Sequence, residues 1–293
     1  MTVMTGRRAD PEHDAVCASS AVHRVVVAPP GTGKTHLAVR LAGELTATLP
    51  LPPVPDTTIG ARVLLLTFSN QARSQLDREA ARQLDPLARR RVLVSNYHSL
   101  FWGAVRAHRR ALGLPPRLQI VSTRRRAAAL AVAAPAAMEA LKRRKVPLDG
   151  LAEHRYPAFQ DGRTPPPEEL DVLLKGIAVE HRAGRLVFDD LGALFWQLLE
   201  EFPALAEGYL ARFPVVVADE HQDASALQDA VIRRLAAQTK VIRADPMQLI
   251  HGFRGVSGDG LWCRSVDDLT CRWPGRDHDT AAGTADSARS LSR

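Results

Sequence analysis

Residues Ala28 to Thr35 read APPGTGKT, and the run Arg24-Val25-Val26-Val27 stands directly before them. An apolar strand, a Gly-rich turn and an amphipathic run from His36 to Leu45 follow one another in that order. This is the setting a phosphate-binding loop needs. Gly31 and Gly33 let backbone N–H groups approach phosphate oxygens without a Cβ in the way. The helix that follows presents its positive dipole end to the anion. Lys34 supplies a point charge for the β- and γ-phosphates, and the Thr35 hydroxyl is a ligand for Mg²⁺. A chance Gly-Lys-Thr turn would have neither strand nor helix around it. The chain is therefore expected to bind a nucleoside triphosphate through Ala28, Pro29, Pro30, Gly31, Thr32, Gly33, Lys34, Thr35 and His36.

Outward from this loop, four more short apolar runs are predicted as buried parallel strands: Val63 to Phe68, Arg91 to Ser95, Val215 to Asp219 and Lys240 to Ala244. Helical patterns fill the gaps between the first three strands, at His36 to Leu49 and Gln71 to Leu84, with Asn70 as a candidate N-cap. Strands alternating with helices mean an α/β fold with right-handed crossovers. The stretch from Leu100 to Phe213 is different. It is rich in Ala, Leu, Arg and Glu, shows no strong strand, and is punctuated by Pro115-Pro116 and Pro165-Pro166-Pro167. It is predicted to be a helical insertion between the third and fourth strands, with a helix starting near Thr164. Beyond Gly255 the pattern decays, and Asp277 to Arg293 has the composition of a disordered tail.

The 293 residues carry a net charge of +7, and 45% of them are hydrophobic, enough for a sizeable core. A basic balance favours a polyanionic partner, though only weakly. Two Arg-rich clusters, Arg124-Arg125-Arg126 and Lys142-Arg143-Arg144-Lys145, are candidate phosphate contacts. The three cysteines are scattered, with neither zinc spacing nor a disulfide framework, which suits a reduced, cytoplasmic setting. The N-terminus has no apolar core of a signal peptide, and no run approaches the length of a membrane span.

A second half of the nucleotide site stands far along the chain. Val215 to Ala218 is an apolar strand that ends in Asp219-Glu220. An acid at the carboxyl end of a strand, opposite a phosphate loop, can hold Mg²⁺, and the next acid can polarise an attacking water. Asp219 is the candidate metal residue beside Thr35, and Glu220 the candidate base. The fifth strand runs into Asp245-Pro246-Met247-Gln248, where Gln248 could reach a γ-phosphate.

Taken together, six segments in order resemble the UvrD/Rep-like superfamily 1 DNA helicases, across about Pro11 to Gly255. APPGTGKT is similar to the Walker A motif of that family. LLLTFSNQAR (Leu64 to Arg73) resembles its TFTNKAA segment, SNYHSL (Ser95 to Leu100) its TFHS segment, and LVFDDL (Leu186 to Leu191) its FDDL segment. VVVADEHQDASALQ (Val215 to Gln228) is close to the DExQDxxxxQ signature, and ADPMQLIHGFRG (Ala244 to Gly255) resembles GDPxQxIYxFRGA. The resemblance implies a RecA-like P-loop NTPase sheet, with the Gln248 strand between the phosphate-loop strand and the Asp219 strand. It implies ATP hydrolysis with Mg²⁺, in which Lys34, Glu220 and Gln248 are catalytic. Gln222 would sit between the ATP site and the neighbouring domain. His13 stands where the family reads adenine with Gln. Thr67, Phe68, Asn70, Tyr97 and His98 would line a path for single-stranded DNA, and Phe253 would stack on a base beside Arg254.

The expected organisation is a first RecA-like part at 1–99, a helical insertion subdomain at 100–213, a second RecA-like part at 214–256 and a tail at 257–293. In that tail, Leu269 to Trp273 is a candidate remnant of the next motif, with Arg272 as its arginine. The family's second RecA-like domain, which carries an arginine finger, has no counterpart in these 293 residues. The expectation is thus the ATP-binding N-terminal half of a UvrD-like helicase or translocase, incomplete as a motor. Its partners are single-stranded or partly duplex DNA, with a separate chain supplying the second domain as a candidate. A non-motor ATP- or DNA-binding regulatory module, or a truncated gene product, is the rival. RNA stays open, because stacking tracks read the sugar weakly.

Overall fold

The computed structural model describes residues 11–18, 20, 23–27, 31–49, 60–236, 238–243 and 270–272. In chain order the elements are α1 (Pro11–Ala18), β1 (His23–Val27), α2 (Lys34–Leu45), β2 (Val63–Thr67), α3 (Asn70–Gln83), α4 (Pro86–Arg91), β3 (Val92–Asn96) and α5 (Tyr97–Ala107). Then come β4 (Gln119–Ile120), α6 (Thr123–Ala133), α7 (Pro135–Arg144), α8 (Pro167–Arg182), β5 (Arg185–Leu186), α9 (Phe188–Glu201) and α10 (Pro203–Arg212). The chain returns through β6 (Val215–Ala218), α11 (Ala226–Leu235), β7 (Gln238–Arg243) and β8 (Thr270–Arg272).

Six strands form one parallel sheet in the order β3-β2-β6-β7-β1-β8. β7, which leads into the Gln248 segment, lies between β1 and β6, where the resemblance put it. The central strands β2 and β6 are buried at every residue, as apolar runs with helices on both faces must be. The period of two divides their side chains. Leu64, Leu66, Val216 and Ala218 face a core built with α5, α9, α10 and α11. Val63, Leu65, Val215 and Val217 face a second core built with α1, α2 and α3. Each fully buried Leu or Val contributes roughly 1.5–3 kcal/mol relative to its exposed state.

The helical stretch after β3 divides by its packing. Phe101 of α5, Leu191, Leu194, Phe195 and Leu198 of α9, and Ala206 of α10 belong to the sheet's own core. Gly192 is what lets α9 come so close: a Cβ there would sit 3.0 Å from Leu227 of α11. Leu130 of α6, Met138 and Leu141 of α7, and Leu173 and Ile177 of α8 close around a smaller cluster of their own.

Several details depart from expectation. α3 is capped by Ser69, whose Oγ accepts from the Ala72 N–H at 3.0 Å, and Asn70 is its first residue. α8 starts at Pro167 rather than near Thr164. The short helix α4 had no periodic run long enough to announce it; Asp85 caps it through the N–H groups of Leu87 and Ala88. The insertion holds a two-stranded parallel pair, β4 with β5, too short to leave a pattern. Most of the expected tail lies outside the described residues. Thr270–Arg272, the centre of the candidate remnant motif, forms the edge strand β8 parallel to β1.

Candidate functional site

Among the described residues, the turns after β1, β2, β3 and β6 carry most of the predicted residues at the carboxyl ends of parallel strands, the end where ligands bind in open α/β sheets, while His13 lies on α1. The phosphate loop follows β1, Ser69 and Asn70 follow β2, Tyr97 and His98 follow β3, and Asp219 and Glu220 follow β6. Ala28, Pro29, Pro30, Gln248, Phe253 and Arg254 lie outside the described residues, as does the side chain of Gln222.

Gly31 and Gly33 have φ of 80° and 85°. A side chain would strain both positions, so the backbone turn is one that glycine makes easily. Gly33 is the N-cap of α2, and its carbonyl accepts the first helical bond from the Leu37 N–H at 2.9 Å. Thr32 is half-buried at the lip of this turn. His13 of α1 is buried against it, with Cε1 3.4 Å from where a Gly33 Cβ would be. The His13 ring lies 6.0 Å from that of His36, nearly parallel to it. His36 departs from expectation in one respect. Its Nδ1 meets Glu79 at 3.0 Å and Gln83 at 2.6 Å, so the ring is held by α3. Burial alone would raise the Glu79 pKa, but hydrogen bonds from His36, Arg82 and Gln83 outweigh it and hold the group at about 2.

The turn after β6 closes on this loop. The Thr35 hydroxyl donates to Asp219 Oδ2 at 3.4 Å across 184 residues of sequence. Lys34 Nζ stands 3.9 Å from Glu220 Oε1. The Asp219 N–H donates to the Leu66 carbonyl at 2.8 Å, extending the β2–β6 ladder by one bond. Asp219 is 2% exposed. Burial is the main force raising its pKa to about 7; the Glu220 charge adds to this, and Lys34 and the Thr35 hydroxyl oppose it. Glu220 is more open and has a φ of 55°.

Mg²⁺ fits these donors. It takes hard oxygen ligands, commonly one or two carboxylates beside substrate phosphates and water. Thr35 and Asp219 offer a hydroxyl and a carboxylate that already meet, and a dication would offset the cost of a buried charge there.

The expected strand path divides in two. Phe68 and His98 are partly exposed and Asn70 is exposed. Asn70 Oδ1 accepts from Asn96 Nδ2 at 2.7 Å, and Asn96 Oδ1 caps α5 by accepting from the Ser99 N–H. Thr67 and Tyr97 are fully buried, so neither can touch a nucleic acid in this conformation. Tyr97 is a core residue, its ring 4.7 Å from Phe68 and 6.0 Å from Phe101. Its hydroxyl lies 2.7 Å from His221 Nδ1. Phe188, not singled out from the sequence, is half-exposed with its ring 5.0 Å from that of His98. An aromatic residue opening an amphipathic helix on the FDDL segment was the available signal.

Two further motif residues acquire a structural account. Gln228, the last residue of the DExQDxxxxQ-like signature, completes a capping box on α11: its Oε1 accepts from the Ser225 N–H at 2.9 Å, and Ser225 Oγ accepts from the Gln228 N–H. Asp190 is buried and takes both guanidinium nitrogens of Arg126, at 3.2 and 2.6 Å, with His181 at 3.0 Å. Burial would raise the Asp190 pKa, but His181 and Arg126 bring it below the usual carboxylate range. Arg126 is therefore no surface phosphate contact, whereas Arg124 and Arg125 are exposed.

Among the described residues no helix is long and apolar enough to cross a membrane. The family model of the UvrD/REP helicase N-terminal domain matches residues 9–261. The chain is 24% identical to DNA helicase II of Haemophilus influenzae over 277 residues, 86% of this chain and 35% of that protein. It is 26% identical to DNA helicase II of Escherichia coli, over 86% of this chain and 35% of that one. It is 24% identical to the ATP-dependent DNA helicase PcrA of Leuconostoc citreum, over 81% and 32%. The chain thus spans about a third of the length of these curated relatives. With a family match across most of its length and Lys34, Thr35, Asp219 and Glu220 gathered at the carboxyl end of a parallel sheet, the chain belongs to the UvrD/REP helicase N-terminal domain family.

Proposed function

We propose that this chain is the ATP-binding N-terminal half of a UvrD-like, ATP-dependent DNA helicase or translocase acting on single-stranded DNA. The observation that carries the reading is the convergence of Lys34 and Thr35 with Asp219 and Glu220 from the other end of the chain. In the proposed reaction, the N–H groups of the loop from Gly31 to Thr35 and the Lys34 ammonium hold the triphosphate. Thr35 and Asp219 hold Mg²⁺, which when bound neutralises charge on the phosphate oxygens. Glu220, more exposed than its neighbour, orients and polarises the attacking water, and Gln248 senses the γ-phosphate. His13, packed on the phosphate loop, contacts the base. Dividing residues 1–99, 100–213 and 214–256 into a RecA-like domain with a helical insertion belongs to this proposal.

The nucleic-acid path would run over Phe68, Asn70, His98 and Phe188, with Phe253 and Arg254 supplying further stacking and charge. Aromatic faces stack on any base, and Arg124, Arg125 and the Lys142 to Lys145 cluster meet the backbone. The test is binding of a fluorescent single-stranded oligonucleotide. Affinity is expected to fall steeply with added salt as counterions are released. Phe188→Ala and Phe253→Ala are each expected to cost about 1–3 kcal/mol. A flat salt response with both variants binding like the parent would refute the path.

A further inference from the structure

A buried polar chain next to Glu220 has no part in the reaction just described. Tyr97 Oη lies 2.7 Å from His221 Nδ1, and His221 Nε2 lies 2.9 Å from Asp229 Oδ1. Arg233 Nε donates to Asp229 Oδ2 at 2.8 Å. Tyr97 and His221 are fully buried. Polar groups this deep are costly unless bonded, so the contact is a specific tie between the start of α5 and the turn after β6. A neutral imidazole satisfies all three groups: Nε2–H donates to Asp229, and Nδ1 accepts from the Tyr97 hydroxyl.

The tie joins two places of interest. On one side His221 directly follows Glu220, which holds a left-handed φ of 55°. A non-glycine residue there is strained, and it persists only where its neighbours over-determine it. Here the Glu220 N–H donates to Asp219 Oδ1 at 3.1 Å on one flank, and the buried His221 is pinned on the other. On the far side, Tyr97 opens α5. It stands between Asn96, which holds Asn70, and His98, which touches Phe188. These are the exposed groups of the nucleic-acid path. The hydroxyl is a departure of this chain, because the TFHS segment that it resembles has Phe at this place.

We propose that His221 is a positioning residue whose hydrogen bond with Tyr97 couples occupancy of the nucleic-acid-facing start of α5 to the setting of Glu220 beside bound nucleotide. This rests on the reading of the chain as a nucleotide- and DNA-binding protein. A ligand that shifts His98 and Asn70 moves the start of α5, and the Tyr97 hydroxyl transmits that movement to the turn carrying Glu220.

The experiment titrates a fluorescent Mg-ATP analogue into the full chain with and without saturating oligothymidylate. The parent is expected to show at least about a five-fold difference between the two affinities. Tyr97→Phe keeps the ring and removes the tie, so the difference should fall to near one, with each ligand's separate affinity unchanged within about two-fold. At position 221, His221→Asn puts an amide oxygen near the place of Nδ1 and should retain most of the difference. His221→Gln reaches toward Asp229 instead and should lose it. Tyr97→Phe/His221→Phe replaces both partners by apolar rings, which is close to neutral for folding, and should also lose it. The proposal is overturned if the parent binds both ligands without coupling, if Tyr97→Phe keeps the parent's difference, or if the Asn and Gln variants behave alike. A parent that binds neither ligand would overturn the nucleotide- and DNA-binding reading itself, and this proposal with it.

Discussion

Asp219→Asn is expected to make the chain more stable and to abolish the contribution of Mg²⁺ to nucleotide binding. The folded protein raises the Asp219 pKa from 3.8 to about 7, chiefly by burial and then by the charge of Glu220. Between those two values the folded state binds a proton that the unfolded state has released. Stability therefore falls as pH rises from about 4 to about 7, and the full cost, of order 4 kcal/mol, is present above pH 7. Asparagine removes the charge and keeps one acceptor oxygen, which serves the Glu220 N–H at the place of Oδ1; its NH2 takes the place of Oδ2, where the Thr35 hydroxyl can turn to accept. Thermal unfolding at pH 8 without Mg²⁺ should show a midpoint higher by several degrees, and the gap between variant and parent should close towards pH 4. Binding of an ATP analogue should at the same time lose its dependence on Mg²⁺. A lower midpoint for the variant at pH 8 would contradict the assigned electrostatics. The same logic makes Mg²⁺ binding by the parent weaken below about pH 7, where the carboxylate is protonated.

A polypeptide of these 293 residues is expected to release phosphate from ATP at close to the background rate, with or without single-stranded DNA. Phosphoryl transfer is catalysed by positioning and by stabilising charge in the transition state. The proposed site has a phosphate loop, a metal carboxylate and a base, and the resemblance assigns the arginine finger to a second RecA-like domain. Such an arginine is worth about 10³–10⁵ in turnover in other phosphoryl-transfer systems. Glu220→Gln should then look like the parent, because both sit near background. Robust DNA stimulation that Glu220→Gln abolishes would mean that self-association or another arginine completes the site.

What could be read from sequence was whatever local pattern and spacing encode. The strands β1, β2, β3, β6 and β7 appear as apolar runs because a parallel sheet is covered on both faces, and their ends fall within a residue or two of expectation. The glycine turn ahead of α2 was legible because Gly31 and Gly33 take backbone angles that other residues avoid. The meeting of Thr35 with Asp219 followed from where motifs sit on a sheet. What escaped was set by contacts between distant segments. Nothing beside Arg126 in the chain marks it as the buried partner of Asp190, 64 residues away. The resemblance puts Tyr97 on a strand path, but aromatic type does not encode exposure, and its partner His221 lies 124 residues on. β8 and the β4–β5 pair are too short for any periodicity to register.

The central claim is that the loop from Gly31 to Thr35 and the carboxylate of Asp219 form one Mg-ATP site. The most direct test is equilibrium titration of a fluorescent ATP analogue, with and without Mg²⁺, against the parent and Lys34→Ala. The parent should bind saturably and more tightly with Mg²⁺. Lys34→Ala should lose about 1.5–3 kcal/mol, roughly ten- to a hundred-fold in affinity, because a charge-assisted phosphate contact is gone. Equal affinities for the two proteins, or binding indifferent to Mg²⁺, would contradict the account.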